Sequence, residues 1–403
     1  MASTLSSHIA ALSPSQLRAA MPDAVWAFRG YNVTNLGRSA ELLSTPAYAP
    51  IVEKHLREAS GVASEFLGRD IDLVWRVREQ RETSLDSYGD AVALVVAMEL
   101  AQLELLDAHF QIAPKHARFS FGYSLGEVTA LVASGVLNAR AALEIPLKLA
   151  DDCAELAHGV TLGILFTRGP ELTLDKVRRL CVRVNHAGKG VMGISSYLSP
   201  NSVLLMGQAD TLERFRELMQ DDLGAGVHLR KNQGQFPPLH TPIVWQKHIP
   251  CRAAEMMHSM PGGFSEPRPP ILSLVTGKFS YNDCNAREIL HKWTDHPQRL
   301  WDAVYETLAA GIHTVIHVGP DPNIVPATFT RLGDNVVAQG KAHLGMRALS
   351  AAAQRPWLSA MLPTRTALLR APVVRQLILE DWLLANAPGS TTKVAQIAVE
   401  EAK

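Results

Sequence analysis

Apolar residues recur along this chain with spacings that predict strands and helices in alternation. The run AVWAF predicts a short strand that ends in a glycine turn at Gly30. Residues 90–110, DAVALVVAMELAQLELLDAHF, predict a helix that is apolar around most of its circumference and is therefore buried on most sides. The segment SAELLSTPAYAPIVEKHLREAS between them has helical spacing that is interrupted near Pro46 and Pro50. Alternating strands and helices indicate an α/β fold with a mostly parallel sheet.

The segment FSFGYSLGEVTALVASG, residues 119–135, predicts a strand, a tight glycine turn and a helix. Its turn carries the pattern Gly-x-Ser-x-Gly at Gly122, Ser124 and Gly126. A nucleophile elbow, the sharp strand-to-helix turn that exposes a serine in α/β hydrolases, requires this context. The pentapeptide also arises by chance, so Ser124 is a candidate nucleophile only if the rest of the chain supplies a base and an oxyanion site.

Residues 160–236 predict a unit of their own. VTLGILF, GVMGISSYL, NSVLLMG and GVHLRKNQ predict strands, while TLDKVRRLCVRVNH and ADTLERFRELMQDDLG predict helices, the second capped by Asp210. The order β-α-β-β-α-β is that of a ferredoxin-like module. Such a module inserted after a serine-bearing core is a far more specific pattern than the pentapeptide.

The chain then returns to the core. PPILSLVTG, residues 269–277, and IHTVIHVGP predict strands, with two helices between them. We therefore predict a Ser-hydrolase-like α/β core from residues 1–159 and 237–333, with the ferredoxin-like (βαββαβ) subdomain inserted between them. Residues 334–403 predict a C-terminal helical extension, which includes the helix VVRQLILEDWLLA, and a polar tail from Pro388.

Composition excludes several classes of function. The chain has 403 residues, and 39 basic side chains balance 39 acidic ones, so it offers no electrostatic footprint for nucleic acid or an anionic membrane. No run of apolar residues is long enough for a transmembrane helix, and the N-terminus lacks the pattern of a signal peptide. The cysteines form no CxxC pair and have no histidine at metal spacing, which predicts free thiols in a reducing cytoplasm and no metal site. These cysteines are Cys153, Cys181, Cys251 and Cys284.

A serine hydroxyl becomes a good nucleophile only when a base, usually a histidine, takes its proton. Among fifteen histidines, His240 in GQFPPLHTPIV lies where the chain re-enters the core, so its loop is expected to cover the cleft between subdomains. The anionic intermediate needs N–H donors, and the first would be the backbone N–H of Leu125 at the start of the helix. His313 and His317 on the last predicted strand are expected to be structural.

This constellation resembles the malonyl-CoA:acyl-carrier-protein transacylase family, which includes the acyltransferase domains of fatty acid and polyketide synthases. The family's GHSxGE motif is matched by GYSLGE around Ser124, and its base loop FHSP by LHTP around His240. Its FPGQGSQ segment is matched by FRGYNVTNLG, residues 28–37, and its late EVGP segment by GIHTVIHVGP, residues 311–320. The matches run in order from about residue 24 to residue 333.

The resemblance implies an acyl-Ser124 intermediate with His240 as the base and no essential third carboxylate. The acyl group passes from an acyl-CoA to the phosphopantetheine thiol of an acyl carrier protein. A backbone carbonyl near the returning strand, at Ser273 or Leu274, is expected to orient the histidine. The oxyanion hole is expected to pair the N–H of Leu125 with that of Tyr31. No bound cofactor is implied beyond the acyl-CoA substrate.

The sequence departs from the family at positions that are expected to line the acyl pocket. Leu149 replaces the arginine that binds the malonyl carboxylate, and Lys148 is about 100° round the helix. Tyr123 replaces the histidine before the serine, and Leu239 replaces an aromatic residue before the base. Malonyl is the family default, and a different acyl group is the alternative.

Two other functions stay open. An α/β-hydrolase esterase or thioesterase would use Ser124 with a later acid and base, for example Asp283 and His317. The inserted subdomain and His240 argue against it. A non-catalytic scaffold relative would explain the altered pocket, but such a protein needs neither Ser124 nor His240. The helix at residues 373–385 either packs on the core, which we favour, or docks a partner subunit of a synthase.

Overall fold

The computed structural model of the chain describes residues 12–232, 234–342 and 364–389, which form two sheets flanked by helices. The strands of these residues, in chain order, are β1 (Ala24–Phe28), β2 (Phe119–Gly122), β3 (Val160–Thr167), β4 (Met192–Ser199), β5 (Ser202–Gln208), β6 (Val227–Asn232), β7 (Thr314–Val318) and β8 (Arg375–Ile378).

The α-helices of the same residues connect and cover these strands. They are α1 (Pro14–Ala20), α2 (Ser39–Ser44), α3 (Ala49–Leu67), α4 (Leu73–Arg78), α5 (Tyr88–Phe110), α6 (Leu125–Ala133), α7 (Ala139–Lys148), α8 (Ala150–Ala157), α9 (Leu174–His186), α10 (Thr211–Leu223), α11 (Ile249–Ser259), α12 (Ala286–Trp293), α13 (Leu300–Ala309), α14 (Ile324–Ala342) and α15 (Leu379–Ala385). Short 3-10 helices lie at Met21–Asp23, Leu85–Ser87, Pro114–His116, Pro242–Lys247 and Thr364–Val373.

The core sheet is parallel throughout, in the order β2-β1-β7-β8. Every residue of β1 and β7 is buried, as expected for parallel strands that are covered on both faces. The predicted α/β fold with a mostly parallel core sheet is therefore confirmed. Helix α5 is buried along most of its length, because most of its residues are small or apolar.

The strand predicted over residues 269–277 is wrong in its extent. Only Ile271 pairs with the sheet, in one parallel bridge to Ser120. Proline at positions 269 and 270 supplies no N–H for a ladder, and the chain turns back on itself where Ser273 N–H bonds the carbonyl of Lys278. The segment is therefore a loop that touches the edge of the sheet.

The second sheet is antiparallel, in the order β4-β5-β3-β6, with α9 and α10 packed on it. Residues such as Leu165, Val203 and Phe215 form its own buried cluster. This is the predicted β-α-β-β-α-β arrangement, and the ferredoxin-like subdomain is confirmed. Asp210 does precede α10, but its carboxylate accepts from Nε of Arg214 and makes no capping bond to the helix backbone.

The C-terminal segment belongs to the core. The predicted helix at 373–385 is wrong in its first half, because residues Arg375–Ile378 pair with the exposed edge of β7 as strand β8. Helix α15 follows and packs on α5, where the rings of Trp382 and Phe110 are 4.8 Å apart. The segment therefore packs on the core, as favoured above. Residues 343–363 and 390–403, with most of the predicted tail, lie outside the described residues.

Within the described residues, no helix combines the length and the apolar character that a membrane crossing demands.

Candidate active site

Ser124 occupies a strained turn between β2 and α6. Its backbone has φ 54° and ψ −115°, a region that residues with a side chain rarely adopt. A Cβ on Gly122 would overlap the backbone of Gly126, and a Cβ on Gly126 would lie 2.5 Å from the carbonyl oxygen of Phe28. Both glycines are therefore required for the strand and helix to cross this closely.

Ser124 and His240 are in direct contact. The Oγ of Ser124 lies 2.7 Å from Nε2 of His240, and Nδ1 of His240 lies 2.7 Å from the carbonyl oxygen of Trp293. A carbonyl oxygen only accepts, so Nδ1 carries the proton and Nε2 is left with the lone pair that can accept the serine proton. The arrangement is a serine with an adjacent base in the correct tautomer.

The histidine is kept neutral by its surroundings. Its ring is buried, and loss of solvation lowers the pKa of His240 to about 4, while the bond to Trp293 opposes this shift. The backbone of His240 has φ 67°, and its N–H donates to the carbonyl of Thr294 at 2.8 Å. At neutral pH the group is therefore a fixed, unprotonated base.

The carbonyl that orients His240 is not the expected one. Trp293 supplies it, because the last residue of a helix has a carbonyl with no intrahelical partner, and α12 ends there. The carbonyl oxygens of Ser273 and Leu274, expected in this role, accept instead from the N–H groups of Gly277 and Arg299, each at 2.8 Å. The Ser273 hydroxyl and the Leu274 N–H both donate to the carboxyl group of Glu127. Burial raises the pKa of Glu127 to about 7.

Trp293 and Gln298 are site residues that the sequence reasoning missed. Nε1 of Trp293 donates to the Ser124 carbonyl at 2.8 Å, and its ring lies edge-on to His240 at 5.3 Å between centroids. Oε1 of Gln298 accepts from the Ser124 N–H at 2.9 Å, and Nε2 of Gln298 lies 3.3 Å from His240 Nδ1. The segment HKWTDHPQ carries no motif that marks either residue.

Gln298 also ties the site to the inserted subdomain. Its N–H donates to the carbonyl of Ser195 at 2.8 Å, and its carbonyl accepts from Tyr197 N–H at 2.8 Å and from Ser196 Oγ at 3.0 Å. One parallel bridge, between Ser196 and Gln298, therefore joins strand β4 to the residue whose side chain accepts from the Ser124 N–H.

The predicted oxyanion donors both belong to backbone that lies close to the serine. Leu125 is the first residue of α6, so its N–H has no intrahelical acceptor. Tyr31 follows Gly30, where a Cβ would lie 3.2 Å from the Cβ of Ser124. The N–H of Ser124 itself is occupied by Gln298, so Leu125 and Tyr31 stay the predicted pair.

The residues predicted for the acyl pocket have mixed surroundings. The Tyr123 hydroxyl is hydrogen-bonded to Ser196, whereas Leu149 at the junction of α7 and α8 and Leu239 beside His240 are both buried. Lys148 points to the surface, where its ammonium group bonds Glu144 at 2.6 Å. Lys148 therefore does not take the place of the family's arginine, and the pocket assignment stays a prediction.

The rival triad is not assembled. Nε2 of His317 bonds Oε1 of Gln376 at 2.6 Å inside the core sheet, and burial lowers the pKa of His317 to about 4. Asp283 is exposed in the loop before α12. The ring that reaches Ser124 belongs to His240.

Comparison with known proteins finds relatives by sequence and by fold, although no protein-family model matches the chain. A polyketide synthase of Streptomyces halstedii, GfsA, is 25% identical over 304 residues, which are 73% of this chain and 4% of that protein. The malonyl CoA-acyl carrier protein transacylase of Bacillus subtilis is 23% identical over 284 residues, which are 64% of this chain and 84% of that protein. The chain thus spans only a small part of the length of the polyketide synthases that it matches.

Solved structures share the fold. FabD of Acinetobacter baumannii superposes with a TM-score of 0.58 at 19% identity, over 76% of this chain and 90% of its own. The acyltransferase domain from module 8 of the salinomycin polyketide synthase has a TM-score of 0.60 at 21% identity, over 77% and 67% of the two chains. The resemblance to malonyl-CoA:acyl-carrier-protein transacylases and synthase acyltransferase domains is therefore confirmed.

Proposed function

We propose that this protein is an acyltransferase that moves an acyl group from coenzyme A to the phosphopantetheine thiol of an acyl carrier protein. The observation that carries the proposal is the 2.7 Å contact between the Oγ of Ser124, which lies on a strained turn, and the unprotonated Nε2 of His240. The fold, shared with solved transacylases, supports the same reaction.

In the first half-reaction, Ser124 Oγ attacks the thioester carbonyl while Nε2 of His240 takes its proton. The tetrahedral oxyanion is stabilised by the N–H groups of Leu125 and Tyr31. Collapse breaks the C–S bond, and His240 returns the proton to the sulfur of coenzyme A. The carbonyl of Trp293 stabilises the transient imidazolium, so the dyad requires no third carboxylate.

In the second half-reaction, His240 takes the proton of the phosphopantetheine thiol, and the sulfur attacks the ester on Ser124. The C–O bond breaks, and the serine oxygen regains its proton from His240. Each half-reaction moves one proton and exchanges one acyl bond, as a ping-pong scheme requires.

The names of the relatives give malonyl as the default acyl group. A malonyl carboxylate buried beside His240 would require a cation, and Lys148, next to the position of the family's arginine, is engaged with Glu144 at the surface. Leu149 offers only apolar contact. We therefore expect uncharged acyl groups to compete with malonyl at this site.

The proposed partners are an acyl-CoA and an acyl carrier protein, within either a fatty acid or a polyketide pathway. A cytoplasmic location is part of the proposal, since the four cysteines of the described residues are free thiols.

The test is intact-mass analysis after incubation with acetyl-, butyryl- and malonyl-CoA. The wild type is expected to gain one acyl mass, which Ser124→Ala abolishes. Ser120→Ala is the matched control, because it removes a buried serine hydroxyl from the adjoining strand β2 and is expected to leave the adduct unchanged. Absence of an adduct with every acyl-CoA would favour the scaffold.

Addition of pantetheinylated carrier protein distinguishes transfer from hydrolysis. Acyltransfer predicts that the acyl mass moves to the carrier faster than free acid appears. Release of free acid at the same rate with and without the carrier would favour a thioesterase.

A further inference from the structure

Arg29 follows β1 directly, at the start of the loop that carries Tyr31, and is only 4% exposed. Its guanidinium group donates to neutral oxygens. Nε bonds the carbonyl of Gly30 at 2.8 Å, and the Nη1 group bonds the carbonyl of Pro320. Nη2 bonds the carbonyl of Thr34 at 3.1 Å and Oδ1 of Asn35 at 2.9 Å.

Burial of this charge is costly. Loss of solvation lowers the pKa of Arg29, and the carboxyl groups of Glu99, Asp321, Glu380 and Glu82 oppose that shift. Glu99 is itself buried and accepts from the backbone N–H of Arg29 at 2.8 Å. Because most of the hydrogen bonds of this buried guanidinium go to one loop, we expect Arg29 to determine the conformation of that loop.

The bond from Nε to Gly30 determines the direction of one peptide unit. The carbonyl of Gly30 and the N–H of Tyr31 belong to the same planar trans peptide and point in opposite directions. With the oxygen held by Arg29, the N–H of Tyr31 points away from the guanidinium. A cationic donor on the oxygen also polarises the N–H at the other end.

The serine lies close to this peptide. A Cβ on Gly30 would lie 2.6 Å from the Tyr123 carbonyl oxygen and 3.2 Å from Ser124 Cβ. The absence of a side chain at Gly30 thus lets the loop backbone come against the nucleophile.

We propose that Arg29 is a positioning residue of the oxyanion hole, which holds the Gly30 carbonyl so that the Tyr31 N–H faces the oxyanion formed on Ser124. This inference rests on the proposed function, since the oxyanion exists only if Ser124 is acylated. Arg29 touches no reacting atom and acts through one peptide.

The test compares single-turnover acylation of wild type and Arg29→Lys. Lysine keeps the charge but cannot donate to several carbonyls in a fixed plane. The oxyanion bond strengthens in the transition state, so kcat for acylation is expected to fall at least about 10-fold, with KM for acyl-CoA within about twofold. The midpoint of the pH–rate profile, which reports His240, is expected to stay in place.

Arg370→Lys is the matched control. Arg370 is partly buried, and its Nη1 also donates to a backbone carbonyl, that of Leu308 at 3.1 Å, in the layer formed by α13 and the 3-10 helix Thr364–Val373. Acylation by this variant is expected to match wild type. An equal loss in both variants would indicate a general effect of losing a buried guanidinium and would overturn the inference.

A double-mutant cycle tests the route of the effect. Tyr31→Pro removes the N–H, so Arg29→Lys in that background is expected to cause no further loss of kcat. Full additivity of the two losses would overturn the inference. If Arg29→Lys is unfolded at the assay temperature, Arg29→Met replaces it, since Met leaves no buried charge without partners.

Failure of this inference is distinguishable from failure of the proposed function. A wild-type protein that forms no acyl-enzyme contradicts the function. A wild type that is acylated, alongside an Arg29→Lys variant acylated at the same rate, contradicts only the role of Arg29.

Discussion

The side-chain oxygen of Gln298 accepts a hydrogen bond from the backbone N–H of Ser124 at 2.9 Å, while the backbone of Gln298 is bonded to strand β4. One residue thus joins the inserted subdomain to the candidate nucleophile of the core. The placement of the second sheet therefore affects the geometry of the Ser124–His240 pair directly.

Gln298→Met tests this link, because methionine has a similar length and apolar volume but no acceptor for the Ser124 N–H. Loss of one hydrogen bond, about 1 kcal/mol, is expected to slow acylation about fivefold. Rapid-quench mass analysis measures the rate. Gln208→Met is the control, since the side chain of this residue of β5 bonds Val191 and Gln246, away from Ser124, and its replacement is expected to have no effect on acylation. An unchanged rate in Gln298→Met would show that the link is dispensable.

The rate of acylation is expected to rise with pH through a midpoint near pH 4, because the reactive form of His240 is the neutral one and its pKa is about 4. Gln298→Glu places a carboxylate near Nδ1 and is expected to move the midpoint upward. A wild-type midpoint near 6.5 would contradict the buried, neutral histidine.

The stability of the folded protein at low pH determines the lowest pH at which the rate of acylation can be measured. The pKa values of His240 and His317 are both about 4, below the value of an exposed histidine, so the unfolded chain binds more protons between pH 6.5 and 4. These two groups are therefore expected to lower the free energy of unfolding as the pH falls through that range. Circular dichroism at each pH identifies the points at which the protein is folded.

Gly126→Ala is expected to destabilise the protein by about 2–3 kcal/mol and to abolish acylation, because its Cβ would lie 2.5 Å and 2.6 Å from the carbonyl oxygens of Phe28 and Arg29. Urea unfolding provides the measurement. Gly61→Ala in the middle of α3 is the matched control, as its Cβ would meet no atom within 4 Å. It is expected to stabilise the protein by about 0.5–1 kcal/mol. Equal stabilities of the two variants would contradict the close crossing at the elbow.

Glu380→Ala is expected to lower the free energy of unfolding by about 1–3 kcal/mol, because two backbone N–H groups in partly buried hydrogen bonds lose their acceptor. The carboxyl group of Glu380 in α15 accepts from Arg38 N–H at 2.9 Å and Asp321 N–H at 2.8 Å. Asp381→Ala removes only a solvent-exposed ion pair with Arg38 and is expected to cost less than about 1 kcal/mol. Thermal denaturation of both variants distinguishes the two cases, and equal losses would contradict a stabilising role for the two bonds that Glu380 accepts.

Patterns local to the chain predicted much of the fold. The ferredoxin-like subdomain was predictable because six elements follow in order with short turns, and each element carries its own hydrophobic period. Strand β8 was not predictable, because residues 375–378 lie within a segment whose apolar spacing fits a helix. Only pairing with the open edge of β7 selects the extended form. The prediction for residues 269–277 was wrong in the opposite sense, since a strand was expected where the structure has a loop. The apolar residues there lie beside prolines, which have no N–H for strand pairing.

The sequence by itself determined the elbow glycines, the order of elements and the candidacy of Ser124 and His240, since these depend on residue type and local spacing. Only the tertiary structure decided that the Trp293 carbonyl orients His240 and that Gln298 holds the Ser124 N–H from 174 positions away. Every residue carries a backbone carbonyl and almost every residue a backbone N–H, so no residue type marks the ones that a fold will use. Their selection depends on where helix α12 ends and on how the two sheets are joined, which is a property of the packed chain.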